Sequence, residues 1–390
     1  MSGTTRREFV RDCALKAVGA CALTAGCAAL AGCGIAPASA ARASGSPVAR
    51  DSEWFLRRAL FYKRLSKQRV RCELCPRQCE VGDLERGYCG VRENRGGDYY
   101  TVVYGRACTI QVDPIEKKPL FHYLPGSEIL SFATAGCNLE CKNCQNWQIS
   151  QSRPEQVKEI RLPPADMVAQ ARARGVRLIA GTYSEPVVYY EYLEGVAREG
   201  KQRGVRTIAI TAGYINPQPM QRLCRELGAI KVDLKSMRDD FYRRNCSAQL
   251  KPVLDAIVAA KQTGIWLEIV YLVIPTMNDS DAEIRDLARW IKAHLGPDVP
   301  LHFSRFYPTY RLTNVPPTPV ETLTRCRDIA LAQGLHYVYV GNVPGHPGES
   351  TYCPRCKRVL IERRVFTILQ DNLRSGKCKS CGAAIPGVWA

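Results

Sequence analysis

The sequence has no long uninterrupted apolar run and no dense block of basic residues. Its Ala-rich stretch between Cys13 and Ala31 is interrupted by Lys16 and is too rich in alanine and glycine for a permanent membrane span. No run of five or more Lys or Arg occurs, although the formal net charge is +18. Because the basic residues are scattered, a solvated basic surface is favoured over a nucleic-acid-binding tract, and an anionic partner is not excluded.

A disulfide-like distribution is also missing from a chain that contains 19 cysteines. Ten of these cysteines fall into C-x2-C and C-x3-C pairs, which is typical of metal ligation. The 390-residue length exceeds what one ordinary core fills, and 46% hydrophobic residues indicate a folded protein. We therefore expect one large domain with appendages.

The central cysteine motif lacks a fourth member. Cys137, Cys141 and Cys144 have C-x3-C-x2-C spacing, and the next cysteine, Cys224, is distant and solitary. Three thiolates hold three irons of a 4Fe-4S cluster, which is normally closed by four cysteines, so a group other than protein would complete the site. The alternatives are a zinc site, which requires a fourth ligand from a second C-x2-C or a His pair, and unrelated buried thiols.

Two further sets of cysteines flank this motif. Near the C-terminus, paired C-x2-C knuckles predict a zinc ribbon over residues 346–390, with a strand between them and a structural zinc as the metal. Their four cysteines are Cys353, Cys356, Cys378 and Cys381. In residues 51–125, an amphipathic helix from Glu53 to Leu65 is predicted to precede four cysteines at C-x2-C-x3-C-x9-C spacing: Cys72, Cys75, Cys79 and Cys89. These four close a tetrahedral site on their own, and zinc or a second Fe-S cluster fits equally well.

Strand and helix patterns alternate through residues 126–345. Seven strands are predicted at 129–135, 176–182, 205–211, 229–234, 265–273, 301–307 and 335–340, with helices at 164–174, 186–203, 217–227, 252–263, 279–294 and 319–333. This alternation predicts an α/β fold with parallel crossovers. Since the cysteine loop follows the first strand, we expect a partial (β/α)6 TIM-like barrel whose site lies at the C-terminal strand ends.

Charged residues stand at the predicted ends of two of these strands. Glu185 follows the second strand, and Asp233 and Lys235 end the fourth. A lone charge at a strand end is more often a cap or a surface charge. With Thr211-Ala212-Gly213-Tyr214 at the end of the third strand, however, three motifs are in register with one cysteine loop, which indicates a shared binding site.

The cysteine loop resembles that of the radical S-adenosylmethionine (SAM) superfamily, in which the methionine of SAM chelates the open iron. Further similarity to glycyl-radical activating enzymes of the pyruvate formate-lyase type comes from Thr182-Tyr183-Ser184-Glu185-Pro186, Thr211-Ala212-Gly213-Tyr214 and Asp233-Leu234-Lys235. The resemblance implies a 4Fe-4S cluster, SAM as a cofactor bound with help from Glu185, Asp233 and Lys235, and a 5′-deoxyadenosyl radical that abstracts hydrogen from a substrate. Activating enzymes usually place an aromatic residue against the adenine just before the last cluster cysteine. Asn143 stands there instead, so Trp147 or a distant apolar residue would have to substitute.

Over residues 50–390 the chain resembles more narrowly the radical SAM component of the AmmeMemoRadiSam system. The motifs are Cys144-Gln145-Asn146-Trp147-Gln148-Ile149-Ser150, Leu301-His302-Phe303-Ser304-Arg305-Phe306, Gly341-Asn342-Val343-Pro344-Gly345-His346 and Pro386-Gly387-Val388-Trp389. This resemblance implies a one-electron donor such as flavodoxin or ferredoxin, and a protein substrate or AmmeMemoRadiSam partner proteins. His302 and Arg305 either line the substrate cavity or serve as a core histidine and a structural arginine. A zinc-ribbon nucleic-acid binding protein and an exported Fe-S electron carrier are the rival function classes.

The first 45 residues form a candidate targeting segment. Thr5-Arg6-Arg7-Glu8-Phe9-Val10 matches the twin-arginine consensus, and Leu30-Ala31-Gly32-Cys33 matches a lipobox, with cleavage after Ala38-Ser39-Ala40 as the alternative. The pattern predicts twin-arginine export, as a periplasmic protein or a membrane-anchored lipoprotein. If the leader is not used, the protein is cytoplasmic.

Overall fold

The structure of the chain is a computed structural model that describes residues 54–390. The predicted twin-arginine segment over residues 1–45 therefore lies outside the described residues. All of the described residues belong to one structural unit. Within them, no helix combines the length and the apolar character that a membrane crossing requires.

The N-terminal unit consists of short antiparallel strands. They are β1 (Arg57–Arg58), β2 (Tyr62–Arg64), β3 (Val70–Cys72), β4 (Glu80–Val81), β5 (Arg92–Arg95), β6 (Asp98–Thr101) and β7 (Arg106–Ala107). One sheet has the order β2-β3-β4 and a second has the order β1-β6-β5. Of the four cysteines that the sequence groups together, Cys72 ends β3, Cys75 and Cys79 lie between β3 and β4, and Cys89 lies between β4 and β5.

The predicted helix from Glu53 to Leu65 is wrong where the structure describes this segment, because β1 and β2 lie there instead. Three side chains from these strands converge on the Asp98 carboxylate. Its Oδ1 accepts hydrogen bonds from Arg58 at 2.8 Å, from the Tyr62 hydroxyl at 2.7 Å and from Arg64 at 2.6 Å. Strand pairing and this shared carboxylate override the helical periodicity of the sequence, since propensity is a weak prior against tertiary context.

The central part of the chain forms an open eight-stranded sheet wrapped by helices. Its strands, together with the short β10 that pairs with β7, are β8 (Thr109–Pro114), β9 (Glu128–Ala133), β10 (Ile160–Arg161), β11 (Leu178–Gly181), β12 (Arg206–Thr211), β13 (Ala229–Asp233), β14 (Trp266–Val273), β15 (Leu301–Arg305) and β16 (Val338–Gly341). The helices in this part are α1 (Trp147–Ser150), α2 (Pro164–Ala173), α3 (Tyr190–Gln202), α4 (Pro217–Cys224), α5 (Asp239–Phe241), α6 (Leu250–Gln262), α7 (Asp281–His294) and α8 (Val320–Ala332).

The sheet order β16-β15-β14-β13-β12-β11-β9-β8 follows the chain, with seven parallel strands and the antiparallel β8 at one edge. All seven predicted strands and all six predicted helices are present, so the predicted partial (β/α)6 barrel is confirmed. Strands such as β11 are buried along their whole length, as parallel strands covered on both faces should be. The C-terminal ends of the parallel strands consequently meet at one rim.

The C-terminal tail covers part of the open side of this sheet. It contains β17 (Thr351–Tyr352), β18 (Val359–Arg364), β19 (Thr367–Asp371), β20 (Leu373–Arg374) and β21 (Lys377–Cys378). Its apolar core includes Tyr337 and Tyr339 at one edge of the barrel and Phe121 from the segment between β8 and β9. The tail therefore packs against both ends of the open strand order.

A buried polar cluster joins the tail to the barrel. Glu268 on β14 is fully buried and accepts hydrogen bonds from the backbone N–H groups of Phe121 and His122, from Trp266 Nε1 and from His302 Nε2 at 2.7–3.0 Å. Burial opposes ionisation of this carboxyl, but the hydrogen bond from His302 outweighs it and lowers the pKa of Glu268 to about 2. His302 is therefore a hydrogen-bonded core histidine, and it also lines the cavity at the C-terminal ends of the strands, so both sequence interpretations apply to it.

The burial of His122 should make the stability of the fold depend on pH. Burial lowers the pKa of His122 to about 4 from its ordinary value of 6.5, so between these pH values the unfolded chain binds a proton that the folded chain does not. The free energy of unfolding should fall as the pH falls through this window, by on the order of 3 kcal/mol from this group. We expect His122→Gln to flatten the decline of the melting temperature between pH 6.5 and 4. The exposed His294→Gln should keep the parental slope, and equal slopes in both variants would contradict the assignment.

Candidate functional site

The cysteine loop begins where β9 ends and has no regular secondary structure before α1. Two backbone hydrogen bonds tie it to the segment after α5: Glu140 N–H donates to Cys246 O at 3.1 Å, and Lys142 N–H donates to Asn245 O at 2.9 Å. Gly136 has φ +93°, and a Cβ there would lie 2.7 Å from Cys89 O. Glycine is therefore required, because only it allows the N-terminal unit to approach the loop so closely.

The three loop sulfurs have different surroundings. Leu139 N–H donates to Cys137 Sγ at 3.3 Å, and Cys144 Sγ lies 3.2 Å from Ser150 Oγ. A hydrogen bond from the Cys246 thiol lowers the pKa of Cys141 to about 7. Burial raises the pKa of the other two thiols.

All three cysteines line one cavity of about 600 Å³ at the rim of the barrel. The same cavity is lined by the three charged residues that the sequence places at strand ends, Glu185, Asp233 and Lys235. The prediction that these six residues share one site therefore agrees with their positions. Apolar and aromatic lining comes from Leu139, Ile210, Phe241, Ile274 and, from the C-terminal tail, Val365 and Phe366.

Glu185 is buried at the end of the turn that follows β11. Its carboxylate accepts hydrogen bonds from the Thr211 hydroxyl at 2.5 Å, from Ala212 N–H at 2.8 Å and from Val187 N–H at 3.1 Å. Burial raises the pKa of Glu185, and these donors oppose that rise. A carboxylate offers about four acceptor positions, so one position is left for a donor inside the cavity.

The turn itself is linked to the cysteine loop. Asn146 Nδ2 donates to Tyr183 O at 2.9 Å, and Tyr183 adopts φ +64°, a left-handed conformation that favours glycine. The Tyr183 hydroxyl donates to Asp113 Oδ2 at 2.5 Å. Asp113 also pairs with Lys118 at 2.5 Å. These contacts hold a strained turn against the loop, a position where strain is often associated with function.

Asp233 and Lys235 differ in their partners. Lys231 Nζ, which is buried, lies 2.5 Å from Asp233 Oδ1. Burial acts to lower the pKa of Lys235, but the nearby Cys141 and Asp233 outweigh it and raise the pKa well above the ordinary value. Lys235 therefore carries its positive charge close to the cysteine loop.

Asn143, which replaces the expected aromatic residue, accepts a hydrogen bond from Asn245 Nδ2 at 2.9 Å and lines the cavity. Trp147 is 40% exposed and stacks on Tyr310 with ring centroids 5.1 Å apart. Since Trp147 is not among the residues that line the cavity, Phe241 is better placed to pack against a ligand there. Arg305 donates to Thr318 O at 2.7 Å, which agrees with its structural interpretation.

Sequence reasoning missed several residues of this site. Lys231 and Lys118 line the cavity, and burial lowers the pKa of Lys118 to about 8. Cys246 is a solitary cysteine in the sequence, yet its thiol lies beside that of Cys141. Two sequence features could have indicated the lysines: Lys118 lies in the charged segment from Asp113 to Leu120, and Lys231 lies among the apolar residues of strand β13. No local signal pointed to Cys246.

The four tail cysteines form a separate, compact group. Their sulfurs all lie within 4.8 Å of one another, with Cys353 3.6 Å from Cys381 and Cys356 3.8 Å from Cys378. A tetrahedral ion with Zn–S bonds of about 2.3 Å requires sulfurs about 3.8 Å apart. The donor set and its geometry fit one zinc ion. The strand predicted between the knuckles is a hairpin, β18 and β19.

Comparisons with known proteins identify the central part of the chain. The sequence model of the Radical SAM superfamily matches residues 132–290. An uncharacterized protein of Methanocaldococcus jannaschii is 43% identical over 332 residues, which cover 85% of this chain and 99% of that relative.

Two more distant similarities are to a curated enzyme and to a solved structure. A pyruvate formate-lyase-activating enzyme of Clostridium pasteurianum is 25% identical over 162 residues, or 40% of this chain and 66% of that enzyme. The crystal structure of a radical SAM methyltransferase from Sphaerobacter thermophilus matches with a TM-score of 0.44 and 21% identity, over 58% of this chain and 71% of that one.

The tail cysteines provide a test by metal analysis. We expect Cys353→Ser and Cys381→Ser each to release about one zinc per chain and to lower the melting temperature, because metal binding at a four-cysteine site is coupled to local folding. Cys326→Ser, which alters a buried thiol outside the three cysteine sets, should keep the zinc. Absence of zinc from the purified parent protein would refute the ribbon interpretation.

Proposed function

Because the chain belongs to the radical SAM superfamily, we propose that it cleaves SAM in the rim cavity and abstracts hydrogen from a substrate bound there. Membership implies an enzyme with a 4Fe-4S cluster and SAM. The observation that carries the proposal is that the three-cysteine loop and the strand-end residues Glu185, Asp233 and Lys235 line one cavity. Neither a nucleic-acid binding protein nor a simple electron carrier accounts for that arrangement.

The loop fits a cluster with one iron open toward the cavity. Cys137, Cys141 and Cys144 all line the cavity, whereas Cys246 does not. In this proposal the Cys246 thiol, which does not line the cavity but lies beside Cys141, acts as a hydrogen-bond donor to a ligand sulfur and not as a fourth ligand. Hydrogen bonds to ligand sulfurs are one means by which proteins tune cluster potentials.

The charged residues fit the polar ends of SAM. In this proposal Glu185 accepts the methionine ammonium at its remaining acceptor position, and Asp233 and Lys235 contact the ribose or the carboxylate. When bound, the cluster and SAM supply an electron and a carbon–sulfur bond whose cleavage yields the 5′-deoxyadenosyl radical. The side chains that would contact SAM are oriented before it binds, because a hydrogen bond from Ala212 N–H fixes Glu185 and the ion pair with Lys231 fixes Asp233.

For partners, the superfamily requires an electron donor, and we propose a small flavodoxin or ferredoxin. The substrate that we favour is a protein segment, as for activating enzymes. One supporting feature is the exposed apolar tip of the tail hairpin, where Val365 and Phe366 line the cavity and are 37% and 38% exposed. An AmmeMemoRadiSam partner protein would fit this class of substrate.

We also propose that the twin-arginine segment exports the protein after its clusters have been inserted in the cytoplasm. The Thr5 to Val10 consensus and the apolar stretch after it support this route. Comparing the cellular fractions of the parent with those of an Arg6→Lys/Arg7→Lys variant tests it, and unchanged distribution would contradict export by this route.

Cys141→Ala tests the cluster assignment. Two remaining loop thiolates do not hold a cubane with an open iron, so we expect the variant to lose SAM cleavage and the absorbance of the SAM-binding cluster. The measurement is 5′-deoxyadenosine formation after anaerobic reconstitution, with Cys224→Ser as the matched control. Cleavage near the parental level in the Cys141 variant would exclude the proposed function.

Glu185→Gln tests the contact with SAM. Loss of a charged partner for a buried ammonium costs about 2–5 kcal/mol, so SAM affinity should fall at least about tenfold while the cluster still forms. If Glu185 only caps the chain segment that follows it, the variant loses some thermal stability and keeps its SAM affinity. Anaerobic titration of SAM distinguishes these outcomes, with the exposed Glu128→Gln as control.

A further inference from the structure

The four cysteines of the N-terminal unit are not used by the proposed function. They are Cys72, Cys75, Cys79 and Cys89. Cys72 and Cys75 are buried, Cys79 and Cys89 are partly buried, and Tyr88 N–H donates a hydrogen bond to Cys79 Sγ at 3.4 Å. Four sheltered thiols that come together from separate segments are arranged as ligands of a metal group.

The spacing of these sulfurs differs from that in the tail. Among residues 54–390, the tail cysteines are the one set in which three or more ligand atoms all lie within 4.8 Å of one another. No three of the N-terminal sulfurs meet that limit, although they are close enough for their charges to interact. A single zinc ion requires sulfurs about 3.8 Å apart. A four-iron cluster places them farther apart, because each sulfur binds a different iron.

A buried positive charge stands beside these sulfurs. Arg92 is 1% exposed and forms two hydrogen bonds with Glu191, at 2.7 and 3.0 Å. Its charge interacts with Cys72 and Cys89. Its Nε–H is buried and has no hydrogen-bond partner within the described part of the chain. A buried donor of this kind is costly unless an acceptor reaches it, and an anionic cluster next to Cys72 provides one.

The N-terminal cysteines lie directly against the cluster loop. The Asn138 side chain, which follows Cys137 in sequence, lies beside the Cys75 thiol. Arg77 Nε donates to Asn138 O at 2.7 Å. Together with the close approach of Cys89 O to Gly136, these contacts hold the segments that carry the N-terminal cysteines against the loop that carries Cys137.

The same unit has an excess of positive charge. Residues 54–101 contain 11 Lys or Arg and six Asp or Glu. Five of the basic residues between Trp54 and Cys72 form ion pairs with Asp98, Glu73 or Glu80, so the excess and not an unpaired basic patch is what a partner meets. Complementary charge accelerates the docking of small acidic electron carriers.

We propose that Cys72, Cys75, Cys79 and Cys89 bind a second four-iron cluster, through which the donor's electron reaches the cluster held by Cys137, Cys141 and Cys144. One electron leaves the reduced flavodoxin or ferredoxin, reduces the N-terminal cluster and passes to the loop cluster. The donor loses one electron, no covalent bond is formed or broken, and no proton is transferred. The existence of the second cluster is independent of the proposed function, whereas its role as a relay rests on it.

Metal analysis of a loop variant tests the second cluster. The full chain carrying Cys137→Ala, Cys141→Ala and Cys144→Ala is reconstituted anaerobically with iron and sulfide, and its metals are quantified. We expect the variant to keep about four irons per chain, with a paramagnetic signal after reduction that added SAM does not change. Zinc in place of this iron, or less than about one iron per chain in soluble protein, would overturn the proposal. Cys224→Ser with the loop intact serves as the control for reconstitution.

A comparison of electron donors tests the relay. In Cys79→Ser, the rate of SAM cleavage with reduced flavodoxin, divided by the rate with dithionite, should fall at least about tenfold relative to the parent, since the small reductant reaches the loop cluster directly. An unchanged ratio would overturn the relay. If the parent cleaves no SAM with dithionite, the proposed function fails, while the iron content of the loop variant still decides whether the second cluster exists.

Discussion

The rest of the site depends on one constraint: an irregular loop must hold its three cysteines in fixed positions. Residues 137–144 must hold three sulfurs at a cavity without the support of a helix or a sheet. The support comes from outside the loop, through Glu140 and Lys142 to the segment that ends at Cys246, and through Arg77 to Asn138 O. The N-terminal unit is therefore part of the site, because Arg77 helps to fix the conformation of the loop.

Charges around the cavity are satisfied before any ligand enters. Lys118 pairs with Asp113, Lys231 pairs with Asp233, and Glu185 has three donors. Removing one member of such a pair leaves a buried charge without compensation, which costs more than the pair contributes. The same arrangement reduces the reorganisation needed when a charged ligand binds, since the polar groups are already oriented.

The C-terminal tail covers part of the open side of the sheet. Arg363 on β18 is buried and donates to Phe121 O and to Thr351 Oγ1, each at 2.8 Å, while its guanidinium lies over the Phe121 ring. These contacts connect the tail to the segment between β8 and β9. A metal at the tail cysteines would fix the ribbon and, with it, the hairpin residues that line the cavity. The tail hairpin thus belongs both to the ribbon and to the lining of the cavity.

The amino-acid sequence by itself determined the strand and helix order, the partial barrel, the loop cysteines and the strand-end residues Glu185, Asp233 and Lys235. These features are local, since hydrophobic periodicity and cysteine spacing are written in neighbouring residues. Only the tertiary structure decided that residues 57–64 pair as strands around Asp98, that Cys246 contacts Cys141, and that Lys118 and Lys231 face the cavity. It also separated a compact tail site from a wider N-terminal one, although both have four cysteines. Distances between sulfurs and pairings of buried charges depend on residues far apart in the chain, and no local pattern encodes them.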